Sequence, residues 1–115
     1  MNQQEYIDGH RKAEAELRQE FPELFSECFS LSCPPGWVRI VRSLSYSIRR
    51  VAPETRVVQV KPKAGSLRYY LSGQASDHVN DLIGLAASIA GKTCQGCGGP
   101  GEPKGWNVLC DGCCR

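Results

Sequence analysis

The 115-residue sequence predicts an α+β fold: three helices packed on a two-stranded antiparallel hairpin, with a C-terminal zinc-ribbon-like module. Three observations predict it. Apolar residues recur at helical spacing in three separate segments. Two short runs rich in Val, Leu and Tyr flank the turn signal Pro62-Lys63-Ala64-Gly65. Near the C-terminus the cysteines fall as C-x2-C, twelve residues, C-x2-C. That last spacing is a structural zinc signature, because two residues between cysteines let one tight turn aim both thiolates at a single ion.

The first helix is expected over residues 2–20, where Tyr6, His10, Ala13 and Leu17 share a face and the remainder is charged. Phe21-Pro22-Glu23-Leu24-Phe25 breaks it, and Phe21, Leu24 and Phe25 read as core anchors. After the loop Cys33-Pro34-Pro35-Gly36, a second helix should run from about Trp37 to Val51 on the stripe Trp37, Val41, Leu44, Ile48 and Val51. Residues 55–61 alternate as a strand, with Val58 and Val60 on one face and Val57 on the other. A second strand, 66–72, puts Leu67, Tyr69 and Leu71 opposite Arg68 and Tyr70. Ser76 or Asp77 caps a third helix whose stripe is Val79, Leu82, Ile83, Ala86, Ile89 and Ala90. Gly91 stops it, and the zinc module follows at once. The expected division is a core over 1–92 and a four-cysteine module over 93–115. Within the module 100–105 reads as a loop, 106–109 as a short strand, and Trp106 as packed on the metal site or the core.

The expected ligands of one structural Zn2+ are Cys94, Cys97, Cys110 and Cys113, with Cys114 a competing fourth ligand. Four thiolates close a tetrahedral site and leave no position for substrate or activated water. With four of seven cysteines in metal spacing, a reducing cytoplasm is the expected compartment. Cys28 and Cys33 then read as small buried hydrophobes. No apolar run approaches the roughly 20 residues of a membrane span. No phosphate-binding glycine loop, nucleophile elbow or paired zinc-protease histidines are present. Asp77, His78 and Asp81 could in principle make an acid/base site, but a helix cap and a solvated face account for them. No enzymatic activity and no small-molecule substrate is therefore expected.

Charge is segregated. Residues 1–30 hold seven acids against three bases, a net of −4. Residues 31–72 hold eight bases against one acid, a net of +7. The expected partner-binding set is Arg39, Arg42, Tyr46, Arg49 and Arg50 on the second helix with Lys61, Lys63 and Arg68 on the hairpin. Guanidinium groups so placed grip carboxylates or phosphates.

Several of these segments occur in an order that resembles a known family. They are Phe21-Pro22-Glu23-Leu24-Phe25, Pro35-Gly36-Trp37, Val60-Lys61-Pro62-Lys63 with Gly65-Ser66-Leu67-Arg68-Tyr69-Tyr70, and Cys94 to Cys113 with Gly105-Trp106 and Leu109-Cys110-Asp111. Together they resemble small, largely uncharacterised proteins encoded by phages and prophages. The sequence departs from that pattern at Pro62, where an acidic residue is usual, and at Ala64, where Phe is usual. The resemblance implies an α+β zinc protein in a phage setting and no established activity. It leads us to expect an accessory protein that docks on a host or defence-system protein complex and blocks it. The alternative is a nucleic-acid-binding zinc-ribbon protein using the basic face of residues 37–70. The protein target is favoured because total charge is low and the acidic N-terminal helix would repel a phosphate backbone.

Overall fold

In a computed structural model, residues 2–113 are described. The element order is α1 (Gln3–Glu20), β1 (Ser30–Leu31), a 3-10 turn (Pro35–Trp37), α2 (Val38–Val51), β2 (Val57–Lys63), β3 (Ser66–Leu71), α3 (Asp77–Ala90), β4 (Glu102–Lys104) and β5 (Asn107–Leu109). The α+β class is as the sequence predicts. Cys114, the competing fourth ligand, lies outside the described residues.

Helix α1 begins at a reciprocal cap. The Asn2 side chain accepts from the Glu5 amide at 2.8 Å, and the Glu5 carboxylate accepts from the Asn2 amide at 3.4 Å. Ala13 and Leu17 are buried as expected, while Tyr6 and His10 are half-buried and meet edge to face. Past its end, Phe21, Leu24 and Phe25 enter the core. Arg18 holds this turn in place by donating to the carbonyls of Phe25 and Cys28 while pairing with Glu14.

The main sheet has three strands in the order β1-β2-β3, not the two expected. β1 runs parallel to β2, with Leu31 opposite Val60. A parallel pair requires a crossover, and the 3-10 turn with α2 supplies it. Two residues are too few to show a period, which is why β1 was not legible. β2 and β3 form the expected antiparallel hairpin, but the strand extends through Pro62 and Lys63, which pair with Leu67 and Ser66. Pro62 is tolerated because β1 ends opposite Val60 and leaves that stretch with one neighbour. The turn itself is Ala64-Gly65, both at positive φ (52° and 78°).

The alternation expected in β2 is broken. A register shift between Val57 and Gln59 inserts a bulge, so Val57 and Val60 are both fully buried and Val58 is not. In β3 the expected alternation stands: Leu67 and Tyr69 are buried, Arg68 and Tyr70 exposed. Tyr69 carries its hydroxyl into the core, where it meets Ser45 of α2 at 2.9 Å. That pairing satisfies both groups, and no buried side-chain N or O among the described residues lacks a partner.

The 3-10 turn buries Trp37, and α2 buries Val41, Leu44 and Ile48. Val51, expected in that stripe, is 50 % exposed, because it falls in the last turn beyond the packed length of the helix. Helix α3 starts on the Ser76 cap, whose hydroxyl accepts from the Val79 amide. It buries Val79, Ala86 and Ala90 and leaves Ile89, also expected in the core, 49 % exposed. The two helices lie together on one face of the sheet. β4 and β5 form a separate hairpin, and the loop expected at 100–105 is therefore partly strand. Trp106, expected to be packed, sits at the tip of that hairpin and is 78 % exposed. Val108, two residues on, fills the core position instead.

Candidate metal centre and binding surfaces

The local sequence builds two cysteine knuckles. In the first, the Cys94 amide donates to the Gly99 carbonyl at 2.8 Å and the Gly98 amide to the Cys94 carbonyl at 3.0 Å, closing a tight turn with Gly98 at positive φ. In the second, the Cys113 amide donates to the Cys110 carbonyl at 3.2 Å. The hairpin β4–β5 joins them. As a result the sulfurs of Cys94, Cys97, Cys110 and Cys113 lie within 4.8 Å of one another, with Cys97 and Cys110 3.7 Å apart. Four sulfurs about 2.3 Å from a tetrahedral zinc stand about 3.8 Å apart, so the cluster is already at the size of one ion. The Gly99 amide points at the Cys97 sulfur at 3.4 Å, the kind of outer hydrogen bond that stabilises a metal-bound thiolate.

Electrostatics of the bare thiols fit the same reading. Burial works against a Cys94 thiolate, yet backbone groups of Cys97, Cys110 and Gly96 outweigh it and bring its pKa down to about 6. Cys113 is pushed the other way, to about 12, by Cys110 beside it, by burial and by Cys94. Clustered thiols ionise one at a time against mutual repulsion, and a divalent cation removes that opposition. The four cysteines are thus positioned to hold one metal ion.

The cluster is tied into the core at three points that the sequence did not reveal. The Gly36 amide donates to the Gln95 carbonyl at 2.8 Å, and a Cβ at Gly36 would fall 2.0 Å from the Cys94 carbonyl oxygen. Only glycine permits that approach. Trp37 donates its indole N–H to the Thr93 carbonyl at 2.9 Å. Gln95, fully buried, donates to the Tyr6 hydroxyl of α1 and to Asn107 Oδ1, and accepts from the Val108 amide at 2.8 Å. A buried glutamine beside a metal knuckle carries no sequence signal, because its three partners come from positions 6, 107 and 108.

The expected basic face is divided. Arg42 pairs with Glu20 at 2.9 Å and with Glu16 at 3.3 Å, both on α1. Arg49 donates to the Glu20 carbonyl and lies over the Phe21 ring at 4.7 Å. Arg50 donates to the Tyr46 hydroxyl, and Arg49 and Arg50 both approach the Tyr46 ring. Part of the charge on the acidic first segment and the basic second helix is therefore paired within the chain, at its surface. Lys61, Lys63 and Arg68 lie elsewhere. Lys61 is cross-strand from Arg68, and Lys63 from Ser66. They alternate with the inward-facing Val60, Leu67 and Tyr69, so they occupy the sheet face turned away from α2 and α3. Arg39 joins neither group. It borders a cleft of about 350 Å3 between α2 and α3, lined also by Ile40, Leu44, Leu82, Leu85 and Ile89. Leu85, 61 % exposed, forms its rim. The cleft was not legible in the sequence, which put Leu82 and Ile89 in one apolar stripe; Leu82 packs against the core, while Ile89 is about half exposed.

Cys28 and Cys33 are buried thiols, as expected. No helix of the described residues is long and apolar enough to cross a membrane.

Fold and cluster together define a small α+β protein with a C-terminal four-cysteine metal-binding element. Compared with protein-family models, curated proteins and solved structures, the chain matches none.

Proposed function

We propose that this is a non-enzymatic, zinc-stapled binding protein of phage type, which docks on a protein complex of the host or of a defence system and blocks it. The phage setting rests on the motif resemblance. The docking reading rests on one observation, the apolar cleft between α2 and α3 with Leu85 and Ile89 exposed beside it. Exposed leucine and isoleucine flanking an apolar cleft favour a partner protein. Ser43 and Ser47, one turn apart, keep the α2 wall low enough for another helix to approach. Arg39 is the one charged residue lining it and has no ion pair among the described residues. The matching ligand is an amphipathic helix with leucine-like anchors and a carboxylate at the Arg39 end. Closed four-thiolate coordination suits zinc to stapling and not to hydrolysis.

The test is comparative capture from nuclease-treated host lysate, with bound proteins identified by mass spectrometry. Leu85→Asp and Ile89→Asp change solvated side chains, so the fold should survive them. The reading expects a protein captured by the wild type and lost from both variants. Capture that is equal across the three would contradict it.

A further inference from the structure

We infer that the open face of the main sheet, extended by the tip of the metal-bearing hairpin, is a binding surface for single-stranded nucleic acid. It does not rest on the docking reading, since the cleft lies on the far side of the helices that cover the sheet's other face.

The first observation is composition by face. β2 and β3 place Lys61, Lys63 and Arg68 on the open face, and no Asp or Glu occurs in either strand. Unlike Arg42, these cations have no ion pair among the described residues. Tyr70, cross-strand from Gln59, stands exposed on the same face.

The second observation is where Trp106 lies. A Cβ at Gly65 would sit 3.4 Å from Val108 Cγ2 and 4.0 Å from the Asn107 carbonyl carbon. The β2–β3 turn therefore lies within van der Waals reach of β5, the strand that follows the Gly105-Trp106 turn. An indole 78 % exposed at a hairpin tip leaves most of its apolar surface in solvent, where a ligand could cover it.

Cations flanked by exposed aromatic rings make a particular chemistry. Lysine and arginine track a phosphate backbone while unpaired bases stack on the rings. A duplex presents no free base faces to stack, so the ring pair selects a single strand. The surface is small, which suits a short contact and moderate affinity.

The experiment uses the zinc-loaded full chain and a fluorescein-labelled oligo-dT, followed by anisotropy and by tryptophan emission. Trp37 is buried, so quenching reports Trp106. Binding is expected with a log K against log salt slope of about −2, from about −0.7 for each of three phosphates. Lys61→Glu with Arg68→Glu should abolish it. Trp106→Ala should weaken it by at least about fivefold, the low end of a lost stacking contact, while Trp106→Phe retains it. Circular dichroism checks the fold, and the solvated Trp106 position keeps the test open if the double variant unfolds. Absence of binding at low salt, equal affinity in Trp106→Ala, or preference for a duplex of the same sequence would each overturn the inference. So would capture on this face of an acidic protein in place of the oligonucleotide.

Discussion

The amide of Gly36 donates to the carbonyl of Gln95 at 2.8 Å, so the start of α2 and the first cysteine knuckle share backbone. With a Cβ at Gly36 only 2.0 Å from the Cys94 carbonyl oxygen, no side chain fits without moving one of them. Gly36→Ala is therefore expected to lower stability by about 1–3 kcal/mol, the usual cost of forced overpacking, and to weaken metal retention in parallel. Chelator competition on the variant, beside its denaturant midpoint, checks both. A variant with lowered stability and unchanged metal affinity would show that the two regions are not coupled.

Arg42 is bound to Glu16 and Glu20 through side chains that remain over a third exposed. Such pairs are worth only about 0–1 kcal/mol. Arg42→Ala should cost no more than that, and the loss should shrink as salt rises. The same variant should leave partner capture at the α2–α3 cleft unchanged. A double-mutant cycle with Glu20→Ala measures the pairing directly.

Ala64 is the one described non-glycine residue at positive φ. The left-handed region costs an L-residue about 1–2 kcal/mol, and asparagine tolerates it better than alanine. Ala64→Asn should therefore raise stability by about 0.5–1 kcal/mol, read as a higher denaturant midpoint at constant slope.

Burial pushes the Cys33 thiol up to about 12, opposed only in part by the Arg42 charge. It also raises the Tyr69 phenol, against the bond from Ser45. Both groups hold their protons more tightly folded than unfolded. The Cys33 contribution to stability is complete below the ordinary thiol value of 9.0 and is lost as pH climbs from there toward 12, and the Tyr69 contribution is lost only above the ordinary phenol value of 10.0. Unfolding midpoints should fall across that window, with Cys33→Ala falling less steeply. Below it, Cys33 should resist alkylation in the folded protein.

What could be read from the sequence was whatever repeats locally. The helix stripes, the Leu67/Tyr69 alternation and the cysteine spacing each repeat within a few residues, and the structure keeps them except at Val51 and Ile89, which are about half exposed. What could not be read depends on distant partners. Gln95 needs Tyr6, Asn107 and Val108 together, and Arg42 needs two acids on α1, so the charge segregation looked like a free basic face when part of it is paired within the chain. The bulge at Val57/Gln59 shifts alternation by one residue without any glycine to announce it. Trp106 and Val108 are both apolar, and composition cannot say which of the two fills the core.

The central claim is that Cys94, Cys97, Cys110 and Cys113 hold one zinc that staples the C-terminal hairpin to the core. Metal analysis with native mass spectrometry, on protein purified without chelator, tests it most directly. The account predicts one zinc per chain, lost in Cys97→Ser together with much of the thermal stability, since structural zinc contributes folding free energy outright. Protein that carries no zinc, or a Cys97→Ser variant with full metal content and an unchanged melting temperature, would contradict it.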